Sequence, residues 1–243
     1  MTFEAWQWAL AVVGALAIGL AKTGIGGLGM LAVVIFANLM PAKAASGVVL
    51  PMLVFADVVA VLAYRRHAQW RLLWKLFPWT AAGVVAGYLA MGRIDDRQAS
   101  LMIGFIVLAL LGLHLWRRRK GGDLAEHGAW FAPVIGILVG YTTLVANAAG
   151  PLMAIYLLAM RLPKMEYMGT GAVYFMVMNL FKVPFMMDLG LVNAASFTFN
   201  LWLAPAVLAG ALLGKVILRK IDQRLFENIA LGLAGAAGLK LLF

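Results

Sequence analysis

The chain contains no cysteine, and only 12% of its 243 residues are charged. The absence of cysteine excludes disulfide bonds, iron–sulfur clusters and thiolate chemistry. An average soluble domain is about 25% charged, so this chain has too few charges to cover a surface in water. Its three histidines show no spacing typical of metal ligands, and no HExxH motif occurs. We therefore expect no metal, no cofactor and no soluble catalytic domain.

What the chain has in abundance is apolar side chains. They make up 64% of the sequence, and the mean hydropathy is +0.94. This composition predicts an integral membrane protein with at most about ten crossings at ~20 residues per span. The net charge of +10 would indicate nucleic acid in a soluble protein. In a membrane protein it is typical of basic cytoplasmic loops, so we expect no nucleic-acid partner.

Apolar runs bounded by charges, proline or glycine predict an all-α polytopic protein with eight to ten helical segments. Two runs, 28–40 and 150–160, are too short to cross about 30 Å at 1.5 Å per residue, and each follows a break, so we expect hairpins or broken helices there. Residues 4–22 are interpreted as a retained helix, since Met1–Glu4 lacks the basic residues of a signal peptide. The predicted segments are 4–22, 28–40, 44–64, 72–91, 98–117, 129–146, 150–160, 165–188, 194–218 and 223–243.

Six residues of the first half recur in the second half at an offset of 127 positions. The matched pairs are Pro78/Pro205, Gly83/Gly210, Gly87/Gly214, Ile94/Ile221, Asp95/Asp222 and Arg97/Arg224. Six matches at one offset predict a duplication, with one transmembrane repeat at 1–120 and a second at 121–243. The GxxxG spacing of the glycines is typical of close packing between membrane helices.

Lysine and arginine are distributed unequally between the loops. Thirteen of the 20 fall near 65–75, 117–120, 161–164 and 219–224, so these loops, including the central linker, are predicted to be cytoplasmic. The loop at 92–97 is then outside although its repeat partner at 219–224 is inside. Three full crossings per half lead to the same inversion. Inverted repeats of this kind are typical of secondary transporters, whose site lies at the bilayer midplane; we expect a multi-pass protein of the cytoplasmic (inner or plasma) membrane.

Two broken segments occupy matching places in the halves, Ala21–Gly29 and Tyr141–Pro151. Each break can present bare N–H groups, and the helix that follows points its positive N-terminus toward it. In inverted halves the two breaks approach from opposite sides and enclose a small polar space that suits a small anion. The alternative is that the glycines pack helices and Asn147 only satisfies broken backbone. The candidate substrate-binding residues in the breaks are Lys22, Thr23, Gly24, Gly26, Gly27, Thr142, Thr143, Asn147 and Gly150.

Asp57 is the only acidic residue well inside an apolar segment. Acids within a membrane are costly and by default indicate function, which makes Asp57 the candidate for proton coupling. The alternative is an interfacial carboxylate that pairs with Arg65, Arg66 or another inner cation.

Lys182 lies at nearly the equivalent place in the second half, and Asn179 precedes it by one turn on the same face. Lys182 can attract an anion, or it can snorkel to the outer surface or neutralise Asp188. Asn179, Ser46 and Thr170 are further candidates for substrate contacts. For the two hydroxyls, hydrogen bonding to local backbone is the alternative.

At these positions the chain resembles the TauE/SafE family, also called sulfite exporters, over nearly its whole length. The similar segments are Lys22–Gly29, Pro41–Gly47, Asn147–Pro151, Gly169–Ala172 and Asn179–Pro184. The resemblance implies a secondary transporter of a small sulfur-containing anion, such as sulfite or an organosulfonate, coupled to the proton gradient. Many members have a longer glycine run in the first motif, which Ile25 and Leu28 interrupt here.

The sequence thus predicts a secondary active transporter, with proton-coupled export or uptake of an anion. A passive anion channel and a transporter of a small carboxylate are the alternatives. An intramembrane enzyme would need a nucleophile or metal cluster at depth, and the chain offers no cysteine and no clustered histidine. The expected partners are the anion, protons and membrane lipids, and the oligomeric state stays open.

Overall fold

A computed structural model describes most of the chain. The described residues are 4–24, 29–40, 42–91, 130–147 and 149–240, together with scattered positions between 93 and 116 and residue 242. Three predicted features lie wholly or largely outside this part: the segment 98–117, the basic linker at 117–120, and the candidates Gly26 and Gly27.

Regular structure in the described residues is entirely helical, without strands, as the composition predicts. A 3₁₀ turn at Arg65–His67 follows the fourth helix. The helices of this part are α1 Ala5–Thr23, α2 Gly29–Leu39, α3 Ala42–Val48, α4 Leu50–Tyr64, α5 Trp70–Ala90, α6 Phe131–Ala146, α7 Ala149–Ala159, α8 Lys164–Asp188, α9 Ala194–Lys220 and α10 Gln223–Lys240.

Five helical stretches of the described part are long and apolar enough to cross a membrane: Ala5–Thr23, Ala44–His67, Trp70–Ala90, Lys164–Asp188 and Ala194–Lys220. The protein is therefore a multi-pass membrane protein, as predicted. The helices α2 and α7 have only 11 residues each, about 16 Å at 1.5 Å per residue. The prediction that these two segments are too short to span is confirmed.

The break between α6 and α7 has a clear local cause. Asn147 ends α6 in the left-handed conformation with φ of 51°, and its N–H donates back to the Thr143 carbonyl. Asparagine is one of the few residues that adopt this conformation readily. Pro151 lies in the first turn of α7, where its missing N–H costs nothing. The chain therefore changes direction here within about two residues.

The helices α1 and α9 approach each other so closely that glycine is required. A Cβ atom on Gly19 would collide with the backbone oxygen of Val207, and one on Gly210 would collide with the backbone oxygen of Leu16. Close approach through small residues is the main source of helix association in lipid, because the apolar environment gives no hydrophobic driving force.

The helices α5 and α6 repeat this contact. A Cβ atom on Gly140 would collide with the Thr80 oxygen, and one on Gly83 would collide with the Ile137 oxygen. Thr80 and Gly83 lie 127 positions before the α9 residues in the same roles. Gly140 and Ile137 lie 121 positions after their counterparts on α1. Each half thus packs the first helix of one half against the glycine face of the fourth long segment of the other.

Candidate functional site

A cavity of about 110 Å³ lies between α1, α4, α7 and α8. The first residue of α2, Gly29, and the first turn of α7, Gly150 and Pro151, reach its wall. The two short helices therefore begin at the cavity, as the sequence predicts for the two breaks. Backbone N–H groups at a helix start have no partner within the helix and carry partial positive charge.

The first half contributes an ion pair at this cavity. Lys22, in the last turn of α1, places its Nζ 2.7 Å from the Asp57 Oδ1 on α4. Asn179 on α8 donates from Nδ2 to the other carboxylate oxygen at 2.5 Å. The Lys22 ammonium also lies 4.3 Å from the centre of the Phe175 ring, within cation–π range. Asp57 is fully buried, whereas the Lys22 side chain keeps 14% exposure.

The second half contributes a cation held by neutral oxygens. Lys182 on α8 is fully buried, and its Nζ donates to the Thr143 carbonyl at 3.1 Å, the Thr143 Oγ1 at 3.3 Å and the Asn147 Oδ1 at 2.5 Å. An ammonium has three N–H donors, so these three oxygens match it. The Asn147 Nδ2 continues the network to the Ser46 carbonyl at 2.9 Å.

These contacts differ from the bland alternatives for both charged residues. Asp57 pairs with Lys22 and not with Arg65 or Arg66 at the membrane surface. Lys182 neither reaches the surface nor contacts Asp188, whose carboxylate accepts instead from the Tyr88 hydroxyl. Two ammonium groups and one carboxylate thus meet in one buried region, with a formal charge of +1.

The structure brings six of the predicted binding residues to the cavity wall: Lys22, Thr143, Asn147, Gly150, Asn179 and Lys182. Asp57 lies directly behind this wall.

Four other candidates are buried away from the cavity. The Thr23 hydroxyl donates to the Ala211 carbonyl on α9 at 2.6 Å. Thr142 bonds back to Val139 at 3.2 Å. Gly24 packs against Gly214, and the Thr170 hydroxyl accepts from the Gln69 backbone N–H at 2.9 Å. Ser46 reaches the site only through its carbonyl.

Sequence reasoning missed the aromatic neighbours of the site. Phe175 precedes Asn179 by four residues, so the helical face that predicts Asn179 and Lys182 extends to it. Tyr64 also escaped notice, although its buried hydroxyl donates to the Thr23 carbonyl at 2.7 Å, directly after Lys22. No sequence signal indicates that contact, because the residues lie on different helices.

The search for a metal centre and the comparisons with known proteins have clear outcomes. No group of three or more potential metal ligands occurs in the described part of the chain. A family model described as "Sulfite exporter TauE/SafE" matches residues 10–241. No curated protein and no solved structure gives a significant match.

Proposed function

Because the chain belongs to the TauE/SafE family of sulfite exporters, we propose that it is a secondary active transporter coupled to protons, with a small sulfur-containing anion such as sulfite or an organosulfonate as its substrate. Members of the family are membrane transporters of sulfur anions and not enzymes. The single observation that supports the site assignment is the convergence of Lys22 and Lys182, from opposite halves of the chain, on one cavity.

The anion binds where four elements offer donors. Lys22 and Lys182 supply ammonium groups, Asn179 supplies an amide, and α2 and α7 supply helix starts. Charge-assisted hydrogen bonds in a site of low dielectric constant are stronger than neutral ones. The formal excess of one positive charge favours an anion over a neutral solute of the same size.

Asp57 carries the coupling proton in this proposal. Its carboxylate holds Lys22 beside the cavity, so protonation of Asp57 would free that ammonium for the anion. A buried ion pair that gains or loses one partner changes local stability strongly. Protonation and anion binding are thereby linked through a shared lysine.

The two halves are proposed to be inverted repeats of three full crossings and one broken element each. The matching glycine contacts of α1 with α9 and of α6 with α5 support this arrangement. So does the contact between the repeat partners α4 and α8, where Asn179 meets Asp57. The loops near 65–75 and 219–224 are proposed to face the cytoplasm, on the basis of their positive charge.

Flux in reconstituted liposomes tests the function. The purified protein is expected to move sulfite or methanesulfonate in response to an imposed pH gradient. The variant Asp57→Asn is expected to abolish the response to the gradient and to retain anion binding. Asp188→Asn is the matched control, because that exposed carboxylate at the end of α8 contacts only Tyr88 among the contacts above. Absence of flux for every such anion, with folded protein, would refute the proposal, and flux indifferent to pH would indicate a passive channel.

A further inference from the structure

The cavity has a polar end and an apolar end, and two helices show the same gradient. Along α8 the wall residues Met168, Gly171 and Phe175 come first, and Asn179 and Lys182 follow one to two turns later. The polar end is therefore displaced by about 10 Å from Phe175 to Lys182 at 1.5 Å per residue.

The short helix α7 shows this gradient in the reverse direction of the chain. Gly150 begins the helix beside the polar end, and Met153, Ala154 and Leu157 line the wall farther on. Two contacts align it with α8: the Lys182 ammonium reaches Asn147, just before α7, and a Cβ atom on Gly171 would lie 3.6 Å from Leu157. The apolar side chains of both helices therefore surround one end of the same space.

The volume exceeds what a bare inorganic anion needs. A water molecule requires about 10–15 Å³ of such space, so about 110 Å³ accommodates roughly seven to ten groups of that size. Sulfite would occupy the polar end alone and leave the apolar wall in contact with water. An anion with a short hydrocarbon body would cover that wall and gain the free energy of apolar burial.

The donor arrangement favours a headgroup with three oxygens. Lys22, Asn179 and Lys182 approach from α1 and α8, and the starts of α2 and α7 approach from other directions. A sulfonate presents its oxygens in a pyramid and can meet donors from all these sides, whereas a planar carboxylate cannot. The formal charge of +1 at the site matches one sulfonate charge.

We infer that the cavity takes an organic sulfonate with a short apolar body, its headgroup between Lys22 and Lys182 and its body against Leu157, Ala154 and Met168. The inference rests on the proposed function, since it assumes that this cavity is the substrate site. It selects one substrate class for this chain and places bare sulfite among the weaker ligands.

Binding to the purified protein in nanodiscs tests the inference, with sulfite, methanesulfonate, butanesulfonate and pentanoate as probes. We expect Kd to fall about fourfold for each methylene from methanesulfonate to butanesulfonate, and pentanoate to bind more weakly than butanesulfonate. Ala154→Phe fills the apolar end, so it should remove the advantage of butanesulfonate and leave methanesulfonate binding unchanged. Ala209→Phe, on the exposed face of α9, is the matched control.

Each result bears on one statement. Equal affinities for the two sulfonates and sulfite, or a butanesulfonate advantage that survives Ala154→Phe, would overturn the organic body. Tighter binding of pentanoate would overturn the sulfonate headgroup. In either case sulfite flux in liposomes would leave the proposed function intact, whereas loss of flux for all anions would overturn the function itself.

Discussion

Lys22 and Lys182 face one cavity from the two halves of the chain, yet different chemistry holds them. Lys22 forms an ion pair with Asp57 at 2.7 Å and keeps partial exposure. Lys182 is fully buried and donates only to neutral oxygens of Thr143 and Asn147 among the contacts that the structure records. A lysine with a carboxylate partner needs no anion for charge balance, whereas a lysine among neutral oxygens does. The comparison assigns coupling to the first half and anion attraction to the second.

Loss of the Asp57 carboxylate is expected to have the largest effect on stability. Asp57→Asn leaves the Lys22 ammonium beside a buried neutral group, and breaking a buried pair costs about 3–5 kcal/mol. We expect the lower end of that range, since the Lys22 side chain is 14% exposed. Thermal unfolding of purified protein measures the change.

The double variant Lys22→Met/Asp57→Asn sharpens this test, because it removes the charge that the single variant strands. It should recover most of the lost stability. If the single and double variants unfold at the same temperature, Lys22 does not depend on Asp57, and the contrast between the two lysines is lost.

Lys182→Met should have the largest effect on anion affinity. The variant removes the cation that has no carboxylate partner, and a hydrogen bond to a charged group contributes about 1.5–3 kcal/mol. We therefore expect Kd for methanesulfonate to rise roughly 10- to 150-fold. Lys182→Arg, which retains the charge, serves as the control. A larger loss of affinity in Lys22→Met/Asp57→Asn than in Lys182→Met would reverse the assigned roles.

The glycine contacts test whether the halves are as alike in packing as they differ in charge. Gly83→Ala and Gly210→Ala each force a methyl group against the backbone of the facing helix, at an expected cost of about 1–3 kcal/mol. The two costs should agree closely if the interfaces are repeats of one another. Gly232→Ala, where a Cβ meets nothing within 4 Å, should be neutral or stabilising. A large difference between Gly83→Ala and Gly210→Ala would argue against equivalent interfaces.

The sequence predicts the fold well because hydropathy determines where helices begin and end. Segments 72–91 and 165–188 agree with α5 and α8 to within two residues, since charges and prolines mark the ends of apolar runs. The face shared by Asn179 and Lys182 was also predictable, because their spacing of three places both on one side of a helix.

The partners within the site were not predictable in the same way. Hydropathy does not report how far a helix is rotated, so Lys22 and Asp57 were both recognised as unusual but not as a pair. Thr170 resembles a substrate contact in sequence, and only its neighbour across the helices, the Gln69 backbone, explains its position. Apolar wall residues such as Leu157 carry no signal that separates a cavity from a core.

The smallest expected effects concern the two threonines beside the lysines. Thr143→Val removes one oxygen acceptor from Lys182, at 3.3 Å, and a typical hydrogen bond contributes about 0.5–1.5 kcal/mol. Because the lost partner belongs to the anion-binding cation, Kd should change by roughly two- to twelvefold. Thr23→Val instead removes a bond to the Ala211 carbonyl on α9, so it should lower the unfolding temperature and leave Kd unchanged. Titration and thermal unfolding of both variants separate these outcomes, and a shift of Kd in Thr23→Val would place the end of α1 in the binding site together with Lys22.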